Sequence, residues 1–278
     1  MSVEPVEHLL AADGTDLAWE LFHENSKTSL VEPHPIYRTH PTDNMVVGMM
    51  HRLRRVKLYA DAPKVPLPDG LPSAPASLDD VLDARSSARS FGPGALDITE
   101  LTKVLVSGCG VTRDNEDNDF PRPFRRSPSG GALYPLEIYV HAARVDGLVP
   151  GLYHYDPEDL ELDVLRRGDQ SDRMTQYMIQ PELFQQAAAT LLFSAVFVRS
   201  VFKYGDRGYR FVLIEAGHVA QTMLLAAEAI GVGAVPIGGY LDRGADRHLG
   251  LDGVNESVIY AMHLGQKAAA PQAAPHTH

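Results

Sequence analysis

Four short stretches of the 278-residue chain carry residue types that could do chemistry. Arg85-Ser86-Ser87-Ala88-Arg89 sets two guanidinium groups four residues apart, with hydroxyls between them. Guanidinium forks and hydroxyl donors together suit a phosphate. The spacing places both arginines on one face of a helix end, and a solvated arginine face is the alternative. Arg126-Ser127-Pro128-Ser129-Gly130-Gly131-Ala132-Leu133-Tyr134-Pro135 puts small residues directly before a strand-like run. Free N–H groups there can approach a ring or a phosphate closely, unless the stretch is a plain surface turn. Pro236-Ile237-Gly238-Gly239-Tyr240 follows an apolar strand. Its glycines are either a strand exit or a backbone free to face a flat group. Lys203-Tyr204 is the fourth stretch. A Lys next to a Tyr is commonly surface. Here the pair sits between an apolar strand-like run and an apolar helix, at what would be a pocket mouth. A nearby ammonium favours tyrosinate and so helps a base.

These groups need elements to hold them. Val212, Ala216, Val219, Met223, Ala227 and Ile230 recur at helical spacing and predict a long buried helix. Before it, the nearly continuous apolar run 190–201 predicts a buried central strand. After it, 232–236 and 256–264 predict two more strands. Alternation over 136–145, a short strand at 152–155, a turn at Asp156-Pro157 and a strand at 160–165 predict an antiparallel meander. Ser77 caps a helix over 78–84, with Asp79 and Asp80 in its first turn. Asp97 and Glu100 have capping-box spacing and open a helix to Ser107, stopped by Gly108 and Gly110. Residues 112–131 are polar and rich in Gly and Pro, hence a loop. Residues 171–189 are helical with a break at Pro181. Helices before, between and after an antiparallel-rich sheet predict an α+β fold. The domain spans 76–267. Residues 1–75 form an extended, Pro-rich arm with a short helix around 45–57, and 268–278 form a disordered tail.

Composition narrows the function. The formal net charge of -11 argues against a nucleic-acid surface. The single cysteine, Cys109, excludes a disulfide scaffold and a multi-Cys zinc site, and suits a reducing cytoplasm. Flanked by glycines, it reads as a packed thiol. The N-terminus lacks the basic and apolar regions of a signal peptide, and no apolar run is long enough to span a membrane. The 12 histidines are scattered and mark no metal set; His218 on the long helix reads as a core or interface residue. Glu215 and Glu228 read as structural or solvated helix positions.

Taken in order, ARSSARSF, RRSPSGGALYPLEIYV, GLYHYDPE and KYGDRGYRFVLIEAGHVAQTMLLAAEAIGVGAVPIGGY resemble the flavin-dependent nitroreductase superfamily, over residues 77–265. More narrowly, they resemble its SagB-type dehydrogenases, the azoline oxidases of thiazole- and oxazole-modified peptides. General nitroreductases often carry Glu-Gly where this chain has Gly238-Gly239, a departure that points to the SagB-type branch. The resemblance implies a nitroreductase-like fold and an FMN enzyme working as a homodimer, with the long central helix at the interface. It implies that Arg85, Ser86, Ser87 and Arg89 hold the phosphate and ribityl chain. Pro128, Ser129 and Gly130 match a loop contributed by the other subunit. Pro236, Ile237, Gly238 and Gly239 match the turn beside flavin N5, and Lys203 and Tyr204 match the catalytic pair. The implied substrate is an azoline-containing peptide, delivered by a cyclodehydratase or assembly-line partner. A general NAD(P)H-dependent FMN reductase and a silent flavin-binding scaffold are the alternative readings.

Overall fold

The computed structural model describes residues 18–27, 48–49, 52–53, 56–114 and 123–268. Most of the short helix expected around 45–57, and the tail from 269 on, lie outside these residues.

A seven-stranded sheet organises the chain, in the order β1-β8-β7-β5-β9-β11-β10. Its strands are β1 (Lys64–Pro66), β5 (Leu136–Ala142), β7 (Gly151–Asp156), β8 (Glu161–Arg167), β9 (Ala189–Val196), β10 (Val232–Ile237) and β11 (Glu256–Gln266). Every pairing within it is antiparallel. Two small ladders stand apart: β2 (Leu96–Asp97) with β6 (Val145–Asp146), and β3 (Val111–Arg113) with β4 (Phe124–Arg125). The second ladder lies in the region expected as loop; Val111 and Thr112 supply the β-branched residues that pleat favours.

Both faces of the sheet are covered, so its central strands read as unbroken apolar runs rather than alternating ones. One face packs on α3 (Ile98–Cys109) and α7 (Asp206–Ala229). Ile138, Val140, Leu191 and Phe193 meet Leu101, Leu105, Val212, Ala216, Val219 and Met223 there. The intervening residues Tyr139 and Leu192 point to the other face. They join Met174 of α4 (Ser171–Thr175), Phe184 of α5 (Pro181–Gln186), and Ala245 and Leu249 of α8 (Asp242–Leu249). The break at Pro181 is present, with the proline in the first turn of α5, where its missing N–H costs no bond.

Both N-caps behave as read. Ser77 and Asp97 each close a capping box, with Asp80 and Glu100 respectively, on α2 (Leu78–Ala84) and α3. Helix α3 runs through Gly108 to Cys109, two residues past the expected stop, with Gly110 as its C-cap. The run 190–201 is not one strand. It divides at Phe197 into β9 and α6 (Val198–Tyr204). Two helices carried no clear sequence signal: α8, and α1 (Ala18–Asn25) in the leader.

The two edges of the sheet differ. Strand β1, from the leader, pairs with β8, and Pro66 is its last residue. At the far edge, the Ala88 N–H donates to the Ala234 carbonyl of β10 at 3.0 Å.

Candidate active site

Sheet register gathers three of the four chemical stretches. Ile237 pairs with Ala261, Val196 with Glu256, and Leu136 with Ala195. The exits of β10 and β9 and the entry to β5 therefore share one end of the sheet. Gly238-Gly239, Lys203-Tyr204 and the 128–132 loop all emerge there. The fourth stretch runs beside β10, through Ala88 and through Phe91, which packs on Gly233 and Gly265. Arg85 is the C-cap of α2, with φ -59 and ψ 121, and residues 86–89 are not helical. The two arginines thus do not share a helix face, as the spacing had predicted. The extended backbone at Arg85 ends the helix before its periodicity can apply.

Lys203 and Tyr204 close α6, not a strand exit. Gly205 follows with φ 54, a left-handed turn that lets α7 begin at once. The Lys203 Nζ lies 5.4 Å from the centre of the Tyr204 ring. Phe211 meets that ring edge-on at 5.0 Å. Gly131, at φ 65, brings its backbone against both functional groups. A methyl there would sit 2.6 Å from Tyr204 Oη and 2.9 Å from Lys203 Nζ. The loop and the pair therefore belong together within one chain.

Beneath this loop lies Glu215 of α7, buried rather than solvated. Its Oε2 accepts a hydrogen bond from Ser129 Oγ at 2.5 Å, and Ser129 Oγ in turn accepts one from the Tyr134 N–H at 2.9 Å. Burial pushes the Glu215 carboxyl up to about 7, against the Ser129 hydrogen bond and the Arg125 charge. Nothing local in the sequence separates Glu215 from Glu228, which pairs with Lys267 at 2.6 Å. The partner of Glu215 lies 86 positions away. His218, expected in a core or interface, is exposed on the single chain.

A line of charges supports α6 from behind. Arg199 Nη2 is 2.6 Å from Glu137 Oε1, and Glu137 Oε2 is 2.8 Å from His154 Nε2. His154 Nδ1 is 2.9 Å from Asp163, which also pairs with Lys64 of β1. Burial opposes the charge on Glu137, but Arg199 and His154 hold its carboxyl down, at about 2. Burial also opposes the charge on His154, yet its two carboxylate partners raise it above the ordinary value. Cys109 is a packed thiol, which burial pushes up to about 12.

The β10 side has a different character. Gly238 is exposed, and a methyl on it would meet no atom within 4 Å. Gly239 is tied back through its carbonyl, which accepts from the Ile179 N–H at 3.1 Å. Neither Arg85 nor Arg89 has an ion-pair partner among the described residues. An open glycine turn at the end of β10, with the Arg85–Arg89 segment bonded to that strand through Ala88, fits a flat group that carries a phosphate.

The nitroreductase family pattern matches residues 82–266, well over half of the chain. The chain belongs to the nitroreductase family. It is 34% identical over 207 residues to MJ1384 of Methanocaldococcus jannaschii, which carries a nitroreductase name, covering 74% of this chain and 98% of the relative. It is 30% identical over 181 residues to the microcin B17-processing protein McbC of Escherichia coli, covering 63% of this chain and 60% of McbC. That similarity agrees with the SagB-type resemblance in the sequence. The E. coli microcin synthetase McbBCD complex with truncated pro-MccB17 contains a chain of the same fold. Its TM-score is 0.57 at 23% identity, covering 87% of this chain and 99% of that one. The nitroreductase-like α+β fold is thus established, and the family places the chain among oxidoreductases.

Proposed function

We propose that this protein is an FMN-dependent dehydrogenase that oxidises azoline rings in a peptide to azoles. The observation that carries the reading is the Gly131 backbone held against Tyr204 Oη and Lys203 Nζ. A structural Lys-Tyr pair needs no such enclosure. The similarity to McbC, a microcin-processing protein, supports the substrate class.

Arg85 and Arg89 would grip the phosphate of FMN, with Ser86 and Ser87 on the ribityl chain. Pro236, Ile237, Gly238 and Gly239 would line the ring, with a backbone N–H of Gly238 or Gly239 facing it. When bound, FMN supplies the hydride acceptor. Tyr204 Oη would take the proton from the ring carbon next to the carbonyl, with the Lys203 ammonium stabilising the phenolate. One proton and one hydride leave the azoline, and dioxygen is the final acceptor.

The site is completed across a homodimer in this reading. Leu213, Ile214 and His218 form an exposed stripe on α7 at helical spacing, a face suited to a second copy. The 128–130 loop and the Lys203-Tyr204 pair of one copy would then face the glycine turn and arginines of the other. A cyclodehydratase that makes the azoline is the natural partner in this reading; a chain of the same fold occurs in the McbBCD complex with truncated pro-MccB17.

The test is anaerobic incubation of the flavin-loaded protein with an azoline peptide. Bleaching of the flavin with loss of two hydrogens from the peptide supports the proposal. Rapid NAD(P)H oxidation without peptide turnover would favour a general reductase. A normal rate in the Lys203→Ala, Tyr204→Phe double variant would remove the pair from the mechanism.

A further inference from the structure

Glu215 is a buried carboxyl that the proposed reaction leaves without a role. Its contacts give it one. The loop above it follows an unusual path: Gly131 has φ 65, Ala132 φ 51 and Tyr134 φ 46. Left-handed backbone at Ala132 and Tyr134 is strained and persists only when the surroundings hold it. Three ties do so. The Arg125 N–H donates to Tyr134 Oη at 3.0 Å, and the Arg199 guanidinium donates to the Tyr134 carbonyl at 3.4 Å. The third runs from the Tyr134 N–H to Ser129 Oγ, and from that hydroxyl to Glu215. A serine hydroxyl has one proton. Once its oxygen accepts from Tyr134, that proton must find an acceptor, and Glu215 on the rigid α7 is the one present.

We propose that Glu215 is a positioning residue: through Ser129 it latches the 129–134 loop in the path that sets Gly131 against Tyr204 Oη and Lys203 Nζ. This rests on reading Lys203-Tyr204 as the proton-removing pair. The latch needs an acceptor at Glu215, not a negative charge. Arg125 of β4 is the charged group that faces it, and Cys109 of α3 is its titratable neighbour. A glutamine carbonyl would serve equally.

Hydrogen–deuterium exchange on the FMN-loaded protein tests this independently of turnover. In Glu215→Ala and in Ser129→Ala, amides of 130–134 should exchange on the order of 10-fold faster, while β9 and β11 keep their protection. Glu215→Gln should exchange like the wild type. On an azoline peptide, both alanine variants should lose roughly 10-fold in kcat with little change in KM, and Glu215→Gln should retain most of the turnover. Ser129→Ala reaches the latch from the loop side, so it reports even where the buried alanine at position 215 unfolds the protein. Unchanged loop exchange in folded Ser129→Ala or Glu215→Ala, or Glu215→Gln exchanging as fast as Glu215→Ala, would overturn the proposal. If the wild type does not oxidise azolines, the functional reading fails, and the exchange experiment still decides the latch.

Discussion

Arg199 and Glu137 form a buried ion pair at 2.6 Å that fastens the helix of Lys203 and Tyr204 to the centre of the sheet. Both side chains are under a tenth exposed. Removing one partner leaves the other charge in a dry interior. Arg199→Met should therefore destabilise the fold by about 3–5 kcal/mol, read by urea denaturation. Adding Glu137→Leu should not recover the loss, because His154 then loses one of its two carboxylates. Recovery in the double variant would show the pair to be isolated from the charges behind it.

Stability should depend on pH through Glu215. Its folded carboxyl sits at about 7 against an ordinary 4.5. Between those values the folded state holds a proton that the unfolded chain has released. The contribution of this group to stability therefore falls as pH rises from 4.5 to 7 and levels off above, by on the order of 3 kcal/mol. His154 acts in a different window. Its raised value means its contribution is complete below 6.5 and is lost as pH rises through the folded value. Burial pulls His141, His248 and His263 down to about 4, so these raise stability with pH over 5 to 6.5 in both proteins, and calorimetric melts of Glu215→Gln should show a steeper rise there than the wild type.

Gly131→Ala should damage catalysis more than folding. The left-handed backbone costs the alanine about 1 kcal/mol, while the new methyl drives into Tyr204 Oη and Lys203 Nζ. A drop in kcat of at least about 10-fold, with Tm lowered by only a few degrees, is the expected pattern. An unaltered kcat would mean that the loop does not set the position of the pair.

Gly238→Val separates cofactor from fold. The position opens to solvent with nothing near its Cβ, so the cofactor-free protein should change by less than about 0.5 kcal/mol. Flavin content after purification should fall, as it should in Arg85→Ala and Arg89→Ala. Full flavin loading in all three would dismiss the β10 side as the cofactor site.

The elements whose signals are local were legible in the sequence. The period of α7 and the capping boxes at Ser77 and Asp97 depend on residues a few positions apart. Helix α6 was hidden because Val198, Val201 and Phe202 prolong the apolar run of β9. Helix α8 is short and mostly polar, and only Ala245 and Leu249 mark its buried face, too few for a periodic signal. The site was half legible. Lys203 and Tyr204, the glycine turn and the arginines could be marked by type, and the register of the sheet brings three of the four stretches to one end. Glu215 could not be marked, since its meaning lies in a hydroxyl from a distant loop.

The two borders of the sheet set how copies of this protein can meet. One border ends in Pro66, which has no N–H to offer, and along the other the Ala88 N–H bonds the Ala234 carbonyl of β10. Such finishing discourages the edge-to-edge growth by which exposed strands build fibrils. In the homodimer proposed above, contact would fall instead to side chains on helices. That form of contact can open and close around a guest without tearing a ladder of main-chain bonds.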